Sequence, residues 1–163
     1  MSINEIQDEI IDEFNAFDDW MDRYSLLIDY GNNLEPFPEA DRTDKNLIDG
    51  CQSKVWFTAE LQQPNNADNS DNVAGDAGAL ARGNATTPII VYHGDSDAIL
   101  VKGIVALLIR VLSGHTPHEI LHTDLYFIDA INLREHQSPT RSNGLAAMLK
   151  QMQLFALAFS AKE

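Results

Sequence analysis

Residues 99–112, ILVKGIVALLIRVL, are apolar nearly all the way round a helical wheel. A helix with a single apolar stripe can lie on a surface, but one that lacks a polar face has to be surrounded. This segment is therefore expected at the centre of the fold, with the other elements placed around it. Ser96 is positioned to cap it, Asp97 suits its first turn, and Gly114 ends it. Its longest unbroken apolar run, residues 104–109, is far too short to span a bilayer, so no membrane partner is expected. A chain of 163 residues fits one domain, 1–163, and can bury a sizeable core without disulfide or metal staples.

The flanking patterns say what surrounds that helix. Ser2 and Glu5 form an S-x-x-E capping box. Ile6, Ile10, Phe14, Phe17, Met21, Tyr24 and Ile28 follow at spacings of three and four, one apolar helical face with room for a break near residues 17–19. Gly31 reads as the stop, and Pro36 and Pro38 keep the chain out of helix afterwards. Residues 39–50 read as a polar loop. Val55, Phe57, Ala59 and Leu61 then alternate with Trp56, Thr58, Glu60 and Gln62, the pattern of a half-buried strand. Residues 63–87 hold no large apolar residue except Val73 and Leu80 and read as a mobile loop. Residues 88–92, PIIVY, predict a second, antiparallel strand. Thr116-Pro117 opens a short helical turn, residues 125–133 predict another, and Ser138-Pro139 starts a last helix. Leu145, Met148, Leu149, Met152, Phe155, Ala156 and Phe159 form the buried stripe of that helix. The fold class is α+β, with helices packed on a small antiparallel β-sheet.

Charge and cysteine content narrow the function. The formal charge is −14, and residues 1–50 carry 14 acids against three bases, a net of −11. Such a front repels phosphate, which argues against nucleic acid; it is either a solvated surface or a means of steering a basic protein partner. One cysteine excludes an intramolecular disulfide, a CxxC dithiol and a Cys-rich metal site. The N-terminal MSINEIQDEIIDEF has no basic n-region leading into an apolar one, so no secretory signal is read and the cytosol is the default compartment.

Three chemistries compete. Cys51 stands between polar flanks in Asp49-Gly50-Cys51-Gln52-Ser53, where a loop enters the first strand. A lone cysteine is more often a small buried hydrophobe, but a loop gives access and Gly50 permits close approach by a partner. His118-Glu119-Ile120-Leu121-His122 matches H-E-x-x-H, the zinc metalloprotease pattern. Pro117 confines that motif to the first turn of a helix, and no third ligand is evident, so no zinc is expected. A Cys–His hydrolase built from Cys51 with His93 or His136 lacks even a motif. Gly94-Asp95-Ser96-Asp97-Ala98 reads locally as a turn and helix cap. Arg141 is out of place in a helix's first turn, where a cation opposes the dipole.

Three blocks, taken together, resemble the SufE family, including its relative CsdE. They are Gly50-Cys51-Gln52-Ser53-Lys54-Val55-Trp56; Gly94-Asp95-Ser96-Asp97-Ala98 with Val101-Lys102-Gly103; and Pro139-Thr140-Arg141-Ser142-Asn143-Gly144 followed by Leu145-Ala146-Ala147-Met148. Their order and spacing match over most of the chain. The long 63–87 connection and Lys54, where relatives often carry Gln, depart from the pattern. The resemblance implies a sulfur acceptor rather than a stand-alone enzyme. Cys51 would take a persulfide from a SufS-type or CsdA-type cysteine desulfurase and pass the sulfur to a SufB-type iron–sulfur scaffold. It also implies Arg141 near Cys51, Asp97 helping to hold the cysteine loop, and supporting places for Gly50, Gln52 and Ser53. No cofactor is expected in this chain; pyridoxal phosphate belongs to the partner.

Overall fold

The computed structural model describes residues 2–48, 54–63, 88–131 and 139–161, the last segment with side chains from 145 onward. Helices α1 (Ile3–Asn15) and α2 (Trp20–Asn32) come first, followed by single 3-10 turns at Glu39–Asp41 and Asp44–Asn46. Strands β1 (Val55–Gln62) and β2 (Ile89–Ser96) follow, then α3 (Ile99–Leu112), two short helices α4 (Pro117–Leu121) and α5 (Phe127–Ala130), and the long α6 (Pro139–Ser160). The strands pair antiparallel from Val55 opposite Ser96 to Gln62 opposite Ile89. The architecture is the expected α+β one, helices against a two-stranded antiparallel sheet among the described residues.

Helix α3 is the centre of the molecule. Ile104, Val105, Leu107, Leu108, Val111 and Leu112 are all buried, and α1, α2 and β2 pack against it. The crossing with α2 is tight enough to exclude side chains. A Cβ on Gly103 would stand 2.3 Å from the Leu27 carbonyl oxygen, and one on Gly31 would lie 3.0 Å from the Gly103 nitrogen. Gly31 is thus not the helix stop that the sequence suggests. It lies inside α2, which runs on to Asn32, and its missing side chain lets two backbones meet. Gly114, at φ 86°, takes the left-handed turn that ends α3 as expected.

The first helical face divides in two. Between α1 and α2 the chain turns at residues 16–19, and the helical phase does not carry across. Ile3, Gln7, Ile10 and Phe14 are buried on α1, whereas Phe17 and Met21, expected on the apolar face, are exposed. The Ser2–Glu5 capping box forms: the Ser2 N–H donates to Glu5 Oε1 at 2.8 Å and the Glu5 N–H to Ser2 Oγ at 3.1 Å. Hydrogen bonding from the Ser2 backbone, then from its side chain, holds the Glu5 carboxyl below its usual range. Gln7 is a fully buried amide on the core side of α1. Its Nε2 donates to the Asp124 carbonyl at 3.0 Å and its Oε1 accepts the Phe127 N–H at 3.1 Å, which clamps α5 to α1.

Three other boundaries differ from expectation. β2 continues four residues beyond Tyr92, so Gly94-Asp95-Ser96 is strand rather than turn; pairing with Val55, Trp56 and Phe57 outweighs its turn-like composition. Helix α3 begins at Ile99 with Ala98 as N-cap, so Ser96 and Asp97 lie ahead of it and serve the strand junction instead. Helix α5 has only four residues, Phe127–Ala130, shorter than the 125–133 expected. In α6, Leu145, Met148, Met152 and Ala156 are buried, with Leu149, Phe155 and Phe159 half-buried beside them. Tyr92 joins β2 to this helix. Its hydroxyl donates to the Met152 carbonyl at 2.7 Å, and burial pushes its pKa far above the phenol range. The expected mobile loop, except for Gln63, lies outside the described residues; the strand ends that flank it are paired, Gln62 with Ile89.

Candidate functional site

Cys51, with Gly50, Gln52 and Ser53, lies outside the described residues, which stop at Ile48 and resume at Lys54. The frame on either side of that segment is well defined. On the entering limb, the Ile48 N–H donates to the Val55 carbonyl at 2.8 Å, and Leu47 bridges Trp56 in antiparallel fashion. On the leaving limb, the Lys54 N–H donates to Asp97 Oδ1 at 3.1 Å, and the Asp97 N–H returns to the Lys54 carbonyl at 3.2 Å. The Ser96 hydroxyl also donates to that carbonyl at 2.8 Å while accepting the Ala98 N–H at 3.2 Å. Both polar groups of the Lys54 backbone are therefore held by Ser96, at the end of β2, and Asp97, just beyond it. The side chain of Asp97 is what the Lys54 amide finds in place of another strand.

Beneath this frame lies a charge cluster that the sequence reading did not single out. Asp95 is buried, and its carboxylate pairs with the Arg42 guanidinium and lies 3.5 Å from Lys102 Nζ. Arg42 also sits over the Trp56 ring, 5.4 Å from its centroid, within cation–π range. Trp56 faces away from the main core and would be exposed on a bare strand; Arg42 and the Leu47 bridge cover it. Gly94 admits α3 against the strand here, since a Cβ on it would come within 2.9 Å of Val105 Cγ1. The signal was available in principle. A carboxylate that continues a strand opposite a tryptophan needs a cation, and Arg42 is one of three bases in an otherwise acidic stretch.

The remaining candidates are dispersed. Arg141 occupies the first turn of α6, with its side chain outside the described residues. Within the HEILH motif, Glu119 caps its own helix: its carboxylate accepts the Thr116 N–H at 2.9 Å while the Glu119 N–H donates to Thr116 Oγ1 at 3.1 Å. Helix α4 has only five residues, and His122 is already its C-cap, with Nδ1 2.9 Å from the His118 carbonyl. Among the described residues, no three His, Cys, Asp or Glu side chains are grouped to hold a metal ion. His93, a candidate base for Cys51, has carboxylates at both ring nitrogens, Glu35 at 3.2 Å and Glu60 at 3.3 Å. His136 lies outside the described residues.

The SufE family model, described as an Fe-S metabolism associated domain, matches residues 8–156. A SufE-like protein of Rhizobium meliloti strain 1021 is 36% identical over 146 residues, 89% of this chain and 90% of that one. A SufE-like protein of Synechocystis is 36% identical over 151 residues, 93% of this chain and 80% of its own length. SufE-like protein 1, chloroplastic/mitochondrial, of Arabidopsis thaliana is 34% identical over 154 residues, which cover 94% of this chain but 35% of the plant protein. In three dimensions the chain is similar to a hypothetical protein of Thermus thermophilus solved in solution, with a TM-score of 0.63 at 19% identity over 94% of each chain; this likeness concerns the fold alone. With its three sequence blocks in order and its helices on a small antiparallel sheet, the chain belongs to the SufE family, whose domain is associated with iron–sulfur metabolism.

Proposed function

We propose that this protein is a sulfur acceptor that takes a persulfide onto Cys51 from a SufS-type or CsdA-type cysteine desulfurase and hands the sulfur to a SufB-type scaffold. The observation that carries the reading is the frame around residues 49–53. Both limbs are pinned to one ladder, and Asp97 and Ser96 fix the residue where the segment rejoins β1. Fixed flanks lower the entropy that must be lost when a partner's sulfur is brought to a nucleophile between them.

The chemistry is an exchange between thiolate and persulfide. The Cys51 thiolate attacks the outer sulfur of the desulfurase persulfide. A new S–S bond forms on Cys51, the old one breaks, and its electron pair leaves on the desulfurase cysteine as thiolate. The proton on the outer sulfur travels with it, so no external oxidant or reductant is required. A chain with one cysteine cannot discard the acquired sulfur by closing an internal disulfide. Arg141 would favour the anionic sulfur if it lies near Cys51, and Asp97 would hold the loop. The pyridoxal phosphate that releases sulfur from L-cysteine stays in the desulfurase, and this chain acts as carrier and activator in the cytosol. No helix among the described residues is long and apolar enough to cross a membrane.

The metalloprotease and Cys–His readings have no comparable support, since Glu119 is engaged as a cap and His93 faces two carboxylates. Mass spectrometry after incubation with a desulfurase and L-cysteine tests the proposal. Wild type should gain one sulfur on Cys51; Cys51→Ser should gain none and should fail to stimulate the desulfurase, because a hydroxyl is a poor nucleophile at neutral pH. A Cys51→Ser variant that stimulates like wild type would reduce this chain to an allosteric partner.

A further inference from the structure

A carboxylate is removed from water only where cations and hydrogen-bond donors replace its hydration. Asp95 is 4% exposed, and its three polar partners among the described residues come from distinct places. Arg42 belongs to the polar connection that leads into residues 49–53, Lys102 to the first turn of α3, and the Ser96 N–H, 2.8 Å from Oδ1, to the strand end beside the leaving limb. Arg42 extends the linkage by lying over Trp56, which bridges Leu47. One carboxylate thus joins the limb entering the cysteine segment, the end of β2 that holds the leaving limb, and the central helix. For stability alone a well-packed apolar group would serve as well or better, because a buried ion pair roughly balances its own desolvation. What an ionic pair adds is a defined geometry between the elements that it joins.

We infer that Asp95 is a positioning residue for sulfur relay: through Arg42 it ties down the limb that enters the cysteine segment, through the Ser96 N–H it sets the residue whose hydroxyl holds Lys54 on the leaving limb, and Lys102 anchors it to α3. The inference rests on the sulfur-acceptor reading of Cys51, and Asp95 itself touches no reacting atom. It differs from the holding role of Asp97, which among the described residues acts on the leaving limb through Lys54. Asp95 couples that limb to the entering one.

The test uses the full chain and two substitutions, Asp95→Asn and Arg42→Gln. The first readout is amide hydrogen exchange without any partner, at Ile48 and Lys54 on the limbs and at Leu107 in the centre of α3. Asp95→Asn should speed exchange at Ile48 and Lys54 about tenfold or more and leave Leu107 unchanged, the signature of local rather than global opening. The second readout is the rate of sulfur transfer to Cys51 against desulfurase concentration. The saturating rate should fall about tenfold while the half-saturating concentration stays put, since misplacement affects the aligned step rather than docking. Arg42→Gln, at a partly exposed side chain, should give the same pattern more weakly, and it keeps the question answerable if Asp95→Asn does not fold. Unchanged exchange at Ile48 and Lys54 in the folded variants would overturn the inference. So would equal acceleration at Leu107, which would make the cluster a general stabiliser. If wild type itself acquires no sulfur, the acceptor reading falls, and the exchange pattern still decides separately whether Asp95 holds the limbs.

Discussion

Two junctions meet on α3, and they are built from opposite materials. Where α2 crosses near Gly103, backbone lies against backbone with no space for a methyl group. Where β2 passes into α3, the contacts are polar: Asp97 with Lys54, Ser96 with Lys54, and Asp95 with Arg42 and Lys102. The first junction admits no adjustment, because close-packed atoms have only one arrangement. The second includes groups with partial access to water, Arg42 and Lys102 among them, so a lost contact there can be replaced by solvent. The segment that carries Cys51 is hung from the second. Loss of one contact there changes how the limbs are held without loosening the core.

The contrast is most easily broken at the packed crossing. Gly103→Ala puts a methyl carbon where the Leu27 carbonyl oxygen stands, and a backbone oxygen cannot swing aside like the end of a flexible side chain. A loss of about 3 kcal/mol is expected, at the upper end for overpacking. For a domain of this size that lowers the melting temperature on the order of 10 °C. A melt within a degree or two of wild type would show that α2 can move away from α3, and the rigid half of the contrast would fail.

Gln7 sharpens the contrast because it is polar yet sits on the packed side. Gln7→Met keeps the shape and removes both hydrogen bonds to the α5 side, along with a local one to Asn4 Oδ1, leaving the Phe127 N–H and the Asp124 carbonyl without their side-chain partner. About 2 kcal/mol should be lost in a chemical denaturation midpoint, since these groups are shut away from water. A neutral result would mean that water reaches the α1–α5 seam and that burial, not polarity, needs revision there.

These two positions also show what the sequence made legible. Helix α3 was readable because a segment apolar all round has one possible place, and α6 because its stripe keeps helical spacing from Leu145 to Phe159. Gly31 reads as a stop because a glycine near a helix end looks the same whether it supplies a left-handed turn or a close approach; only the partner helix distinguishes the two. Phe17 and Met21 fit the periodicity but fall where α1 and α2 change direction, and spacing alone cannot register a bend. At the candidate site, the Cys51, Asp97 and Arg141 positions came from local composition and family resemblance. The Arg42–Asp95–Lys102 cluster brings Arg42, from ahead of the cysteine segment, to two residues at the β2–α3 junction, and no local window contains all three. Gly94-Asp95-Ser96 looked like a turn because glycine, aspartate and serine favour turns, yet pairing across the sheet made it strand.

The smallest expected effect on stability belongs to Asp97, and it is the one that separates the two junctions most cleanly. Asp97→Ala removes the acceptor of the Lys54 N–H but leaves two contacts to the Lys54 carbonyl, from the Ser96 hydroxyl and from the backbone N–H at position 97 itself. Asp97 and Lys54 are both exposed, so water can take the place of the lost carboxylate. The net loss should be under about 1 kcal/mol, with the melting temperature within about 3 °C of wild type. Function should respond out of proportion. The Lys54 amide loses its acceptor, so it should exchange its proton faster and the rate of sulfur transfer to Cys51 should change, while exchange at Leu107 stays as in wild type. If the melting temperature instead falls as far as for Gly103→Ala, the strand–helix junction is part of the rigid core, and the separation between a packed core and a polar frame does not hold. If stability, Lys54 exchange and transfer all match wild type, Asp97 holds nothing that matters to the relay, and the weight of the frame passes to Ser96 and Asp95.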